Sequence, residues 1–178
     1  LGTWHIKEDF PGEPWGNRRI GGVKMEKLYY DDYTLGEIFV SPARTMTESD
    51  IHSYSSLTGD WHPIHTDVET AKKSPFGERI AHGMLTLSIG IALPFRLGRY
   101  VTAPKSFIAF YGIDSLRFTA PCKIGDTIHT EVTITGLVEK DEKRGIIVSE
   151  SKVVNQNSEV VLVFTAKTLA GRRPPSIK

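Results

Sequence analysis

Apolar positions along this chain change their spacing near its middle. Before Pro94 they recur in short helical groupings punctuated by Gly and Pro, whereas beyond Lys105 they fall into long strand-like runs. Glu37-Ile38-Phe39-Val40 predicts a first strand, closed by Pro42. Thr47-Glu48-Ser49-Asp50 has the form of a helix start with an acidic residue at the capping-box position, and Ile51, Tyr54 and Leu57 follow at helical spacing until Gly59. Thr66-Asp67-Val68-Glu69 repeats the capping pattern and predicts a second, short helix. The stretch from Gly83 to Leu93 is apolar nearly all round and stops at Pro94, which predicts a central helix buried on every side. Strands are then predicted over 107–113, 115–120, 127–138, 146–154 and 160–169, with hairpin connections at Asp141–Gly145 and Asn155–Ser158. One long buried helix, followed by antiparallel strands able to wrap around it, makes an α+β layer arrangement.

The beginning of the chain follows neither period. Trp4, Phe10 and Trp15 are mixed there with Pro11, Pro14 and several glycines, so residues 1–30 read as an irregular arm whose aromatic residues pack on the domain or on a partner subunit. The expected organisation is this arm, a single domain over 31–171, and a tail over 172–178.

Composition narrows the classes of function. The 178 residues are 39% hydrophobic and 24% charged with a formal net charge of +1, as for one soluble globular domain. Near neutrality gives no case for nucleic-acid or membrane binding, although Arg79, Arg96, Arg99, Lys105, Arg172 and Arg173 remain candidates to meet a phosphate-bearing ligand. No apolar run is long enough to span a bilayer, and the first residues lack the basic and apolar regions of a secretory signal. The single cysteine, Cys122, excludes an intrachain disulfide framework, fits a reducing compartment and reads as a small buried residue. The cytoplasm is the expected location.

The chemistry concentrates in Thr58-Gly59-Asp60-Trp61-His62-Pro63-Ile64-His65. Asp60 and His65 stand five residues apart across a Gly and Pro turn. Pro63 fixes its own φ and biases His62 toward an extended backbone, and Gly59 can adopt the left-handed conformation that ends a helix. A carboxylate and an imidazole can therefore converge on one small volume. An Asp after Gly also makes simple Asx turns, and a lone His is often a satisfied structural group. A second block, Arg79-Ile80-Ala81-His82-Gly83-Met84, opens the central helix. The Gly83 N–H is one of the unpaired donors of a first turn, where the helix dipole places partial positive charge, and the missing side chain lets another group approach closely. Tight helix packing would use the same glycine.

The two blocks resemble the signature of MaoC-like, (R)-specific enoyl-CoA hydratases, read there as Gly-Asp-x-Asn-Pro-apolar-His and apolar-His-Gly-Met. One departure stands in the first block, where His62 occupies the usual Asn position. The resemblance spans about Thr34 to Ala170. It implies a hot-dog fold, an antiparallel sheet wrapped around a long central helix, and an enzyme of fatty-acid metabolism that acts on acyl-CoA, or on acyl carrier protein, as at least a homodimer. No metal or redox cofactor is implied. Asp60 and His65 would hold and activate water, and the Gly83 N–H would receive the developing enolate oxygen. His62 and His82 would support the site, and Trp61 is a variable motif position that either lines the acyl pocket or packs elsewhere. Family members place a polar residue, often Ser, where this chain has Ile91; Ser88, one turn earlier, is the candidate substitute.

Other readings stay open at this level. A hot-dog thioesterase would use a carboxylate to activate water against the thioester carbon, and an inactive acyl-CoA-binding subunit would keep the fold alone. A metal hydrolase would ligate zinc through Asp60, His62, His65 and His82, although Pro63 and the helix-opening block have no place in common zinc spacings.

Overall fold

The structure is a computed structural model and describes residues 26–175. Most of the expected arm therefore lies outside the described residues, as do Trp4, Phe10 and Trp15. Strand β1 (Ile38–Val40) and the short β2 (Arg44–Thr45) lead into helix α1 (Glu48–Thr58), and two short helices follow, α2 (Pro63–Thr66) and α3 (Val68–Lys72). Helix α4 (Gly83–Ala92) continues as a 3-10 turn over Leu93–Leu97. The chain then builds β3 (Phe107–Phe118), β4 (Thr127–Glu139), β5 (Arg144–Val154) and β6 (Val160–Gly171). All strands pair antiparallel in a six-stranded sheet of order β1-β4-β5-β6-β3, with β2 also on β4. This is the expected α+β hot-dog architecture, a sheet folded around one central helix.

The helix sits hard against the sheet at Gly90. A Cβ there would lie 2.5 Å from Val153 Cγ2, and the Thr130 hydroxyl donates to the Gly90 carbonyl at 2.8 Å. Around this contact Leu85, Leu87, Ile89 and Leu93 pack with Ile128, Val153, Leu162 and Phe164 in the main core. A second cluster, of Tyr30, Tyr33, Ile134, Ile147 and Ala170, packs the residues that enter the domain against the sheet. There Lys27 is buried and held by Glu37 at 2.7 Å, so the segment entering the domain is anchored by an ion pair.

Three expectations change. The central helix is not buried on every side within the chain: Met84 is 50% and Phe95 55% exposed, with exposed Ser88 and Ala92 between them on one stripe. The strands predicted over 107–113 and 115–120 are a single strand, because register shifts at three points absorb the irregular pattern without breaking the ladder. The inward positions of α1 are Ile51, Ser55 and the partly buried Tyr54, while Leu57 is 84% exposed and the buried Ser55 hydroxyl meets His82.

Candidate active site

Helix α1 begins with the reciprocal cap read from its sequence, Asp50 N–H donating to the Thr47 hydroxyl and Thr47 N–H to the Asp50 carboxylate. It ends at Gly59, whose φ of 79° is the left-handed conformation that turns the chain out of the helix. This turn delivers Asp60 to solvent, its side chain 49% exposed. The His62 N–H donates to Asp60 Oδ1 at 3.2 Å, and His62 Nδ1 in turn accepts the Ile64 N–H at 3.2 Å. His62 is thus the N-cap of α2, with Pro63 as its first residue. One imidazole position links the Asp60 carboxylate to the helix that carries His65. The helix after it is capped by Asp67, which accepts from the Glu69 and Thr70 N–H groups; the neighbouring Thr66, expected there from sequence, instead donates to the carbonyls of Trp61 and His62.

His65 Nδ1 lies 2.8 Å from the Ile80 carbonyl, an acceptor, so that nitrogen carries the proton and Nε2 of the neutral ring is left as an acceptor. Burial, the largest influence, holds the His65 imidazole below its ordinary value of 6.5, and the bond to Ile80 only partly opposes it. His82 is buried beside it, the two rings tilted at 32° with centroids 3.9 Å apart, and Tyr54 covers the other side at 4.8 Å. His82 Nε2 is 3.0 Å from the Asp60 carbonyl and 3.4 Å from the Ser55 hydroxyl, while its Nδ1 is buried without a partner among the described residues. His82 therefore grips the turn that presents Asp60, joining α1, the turn and the start of α4.

A carboxylate oxygen of Asp60 and a ring nitrogen from each of His65 and His82 lie within 4.8 Å of one another. This is close enough for one water to be shared between two acceptors. The same three groups are the right types for a metal, and His82 Nε2 is at the same time within hydrogen-bond distance of the Asp60 carbonyl. His62 stands apart, its ring centroid 6.2 Å from that of His65.

Gly83 opens α4 directly after His82, so its N–H belongs to the first turn, for which the helix supplies no acceptor. A Cβ at Gly83 would lie 2.8 Å from the Phe118 ring, so the glycine admits Phe118 of β3 to the helix start. Close packing and an available donor coexist at this residue. Ser88 is not brought to the cluster: it lies on the exposed stripe and donates to the Met84 carbonyl at 2.8 Å. Ile91 packs against the main core.

Trp61 is 48% exposed and makes an edge contact with His52, ring centroids 5.3 Å apart. With Glu48, Ile51, His65 and Arg79 they line a cavity of about 110 Å³ beside the cluster. Arg79 is held there by both oxygens of Glu48, at 2.6 and 2.7 Å, which commits it to a protein carboxylate rather than a ligand phosphate. Arg172 and Arg173 are committed likewise, to Asp31, Glu139 and Asp32. The sequence reading missed His52 and Glu48, whose partners are distant in the chain and carry no local motif. Cys122 is buried, and burial raises its thiol to about 12, so it is no nucleophile.

Known proteins share the sequence pattern and the fold. Residues 34–157 match the family described as MaoC like domain. The chain is 36% identical over 138 residues to an (R)-specific enoyl-CoA hydratase of Rhodospirillum rubrum, a match covering 76% of this chain and 91% of that protein. A solved structure named as a monoamine oxidase regulatory protein from Archaeoglobus fulgius superposes with a TM-score of 0.78 at 39% identity, over 84% of this chain and 98% of that one. The MaoC-like dehydratase from Rhodospirillum rubrum gives a TM-score of 0.72 at 30% identity, over 83% and 99%. With both signature blocks converging at one end of the central helix of such a fold, the chain belongs to the MaoC-like family.

Proposed function

We propose that the chain catalyses the reversible hydration of a trans-2-enoyl-CoA to the (R)-3-hydroxyacyl-CoA. The observation that carries this reading is the convergence of the Asp60 carboxylate and the His65 imidazole beside the unpaired N–H groups that open α4. Relatives named as hydratase and dehydratase support the same chemistry.

Hydration needs a water aimed at C3, a proton for C2, and stabilisation of negative charge on the thioester oxygen. Asp60 and the Nε2 side of His65 are both acceptors, so together they hold one water by its two hydrogens and leave an oxygen lone pair free for C3. As the C3–O bond forms, the C2=C3 electron pair moves toward the thioester carbonyl, whose oxygen becomes enolate-like and accepts the Gly83 N–H. One water proton passes to the Asp60–His65 pair. The pair returns a proton to C2 as the enolate collapses, so water is added across the double bond and the site is restored. His62 and His82 hold this geometry through the Asp60 turn and the α2 cap.

A homodimer is part of the reading. The Met84–Phe95 stripe and the edge strand β3, with Phe107, Ile108, Phe110 and Tyr111 all exposed, form an apolar surface suited to a second copy. The buried, unreactive Cys122 fits the reducing cytoplasm.

The test is incubation with a panel of enoyl-CoA and 3-hydroxyacyl-CoA thioesters, following hydration and free thiol together. Interconversion without thiol release is expected. Release of coenzyme A with no hydrated product would replace this reading with a thioesterase.

A further inference from the structure

The His65 tautomer rests on one backbone group, the Ile80 carbonyl, which takes the Nδ1 proton at 2.8 Å. Ile80 lies between α3 and α4, in an isolated bridge with Lys123. On that edge its segment is held well, by Ala81 N–H donating to the Cys122 carbonyl at 2.7 Å and by Lys123 on Glu78 at 2.6 Å. Toward α2 the backbone link is long: Ile80 N–H reaches the Ile64 carbonyl at 3.4 Å. Arg79, the residue before Ile80, ties the segment to α1 instead. Its guanidinium donates to both oxygens of Glu48, at 2.7 and 2.6 Å, with its side chain only 20% exposed. Glu48 is the first residue of α1, and the far end of that helix presents Asp60.

An ion pair with one exposed partner adds little to stability. Two parallel N–H bonds on one carboxylate do fix distance and direction together, which a lysine cannot. Position matters here because an imidazole without a partner shares its proton between both nitrogens. If the Ile80 carbonyl moved away, the proton could sit on Nε2, the nitrogen that has to accept from water. We propose that Arg79 is a positioning residue of the reaction: its fork on Glu48 locks the Ile80 carbonyl onto His65 Nδ1 and so keeps Nε2 as the acceptor. The same lock joins this carbonyl to the helix that delivers Asp60, so both acceptors of the water keep a fixed separation. The inference rests on the hydratase reading and adds a residue that touches neither water nor substrate.

The test reads the tautomer apart from turnover. Nitrogen NMR of the histidine rings in the full chain, with the His65 signals identified by their loss in His65→Ala, is expected to show the Nδ1–H form. Arg79→Gln should populate the Nε2–H form substantially and lower kcat for crotonyl-CoA about tenfold while KM stays within about twofold, as a small misplacement of an acceptor does. Glu48→Gln, whose amide oxygen still accepts one bond, should show the same changes to a smaller degree, and it decides the matter if Arg79→Gln does not fold. Arg79→Lys, which keeps the charge without the fork, should recover only part of kcat. Lys72→Gln removes the exposed Glu69–Lys72 pair of α3 and should alter neither readout. The proposal is overturned if the folded variants keep the Nδ1–H form, if their kcat is unchanged, or if only their melting temperature falls. A chain that hydrates no thioester, yet loses the Nδ1–H form in Arg79→Gln, would uphold the lock and refute the hydratase reading instead.

Discussion

Asp60 and His65 were legible as a pair because their motif is local: a glycine that ends one helix and a proline that starts the next bring them together within eight residues of chain. What surrounds them was not legible. The packing of His82 between Tyr54 and His65, its hold on the Asp60 carbonyl, and the Phe118 ring against Gly83 all join residues far apart in sequence. His62 became interpretable only with the fold, because its Nδ1 caps α2 and no side chain in the motif announces that bond. The account expects Asp60→Asn and His65→Ala each to lower hydration by roughly a hundredfold or more with the fold intact. His62→Asn should keep most activity, since an amide oxygen accepts the same Ile64 N–H. Turnover measured beside circular dichroism checks all three, and near-normal rates in a folded Asp60 or His65 variant would remove the pair from the mechanism. The pH profile follows from burial of His65. Its folded pKa is lowered, so the neutral, water-accepting ring persists to more acidic solution than a free imidazole, and kcat/KM for hydration should fall on an acid limb centred below 6.5. A limb centred above that value would contradict the assignment.

Among the elements, the capped start and glycine end of α1 formed where local chemistry placed them, and both hairpins of the long strands did too. The apolar run of the central helix gave its position but not its environment. Its pattern reports burial on all sides, whereas the chain covers only part of it and leaves the Met84–Phe95 stripe open. Strand β3 is likewise an edge strand with Phe107, Ile108, Phe110 and Tyr111 exposed. Both are explained if a second copy completes the burial. Sedimentation of the purified chain should therefore give at least twice the chain mass, and Ile108→Asp with Phe110→Asp should shift it toward the monomer. A wild-type chain that stays monomeric at all concentrations while hydrating enoyl-CoA would refute the dimer.

For the whole molecule, one helix ties the candidate site to the sheet. Its first turn lies beside Asp60, His65 and His82, and its middle is locked to the sheet at Gly90. No helix among the described residues is long and apolar enough to cross a membrane. Composition and periodicity showed an α+β domain, and the two motif blocks pointed to its chemistry.

The central claim is that one water, held by Asp60 and His65 on one side of the substrate, adds to C3 while Gly83 fixes the thioester oxygen. That arrangement exposes a single face of the double bond. Chiral analysis of the product formed from crotonyl-CoA in buffered water tests it most directly. The account predicts (R)-3-hydroxybutyryl-CoA almost alone; a predominantly (S) or racemic product would contradict it.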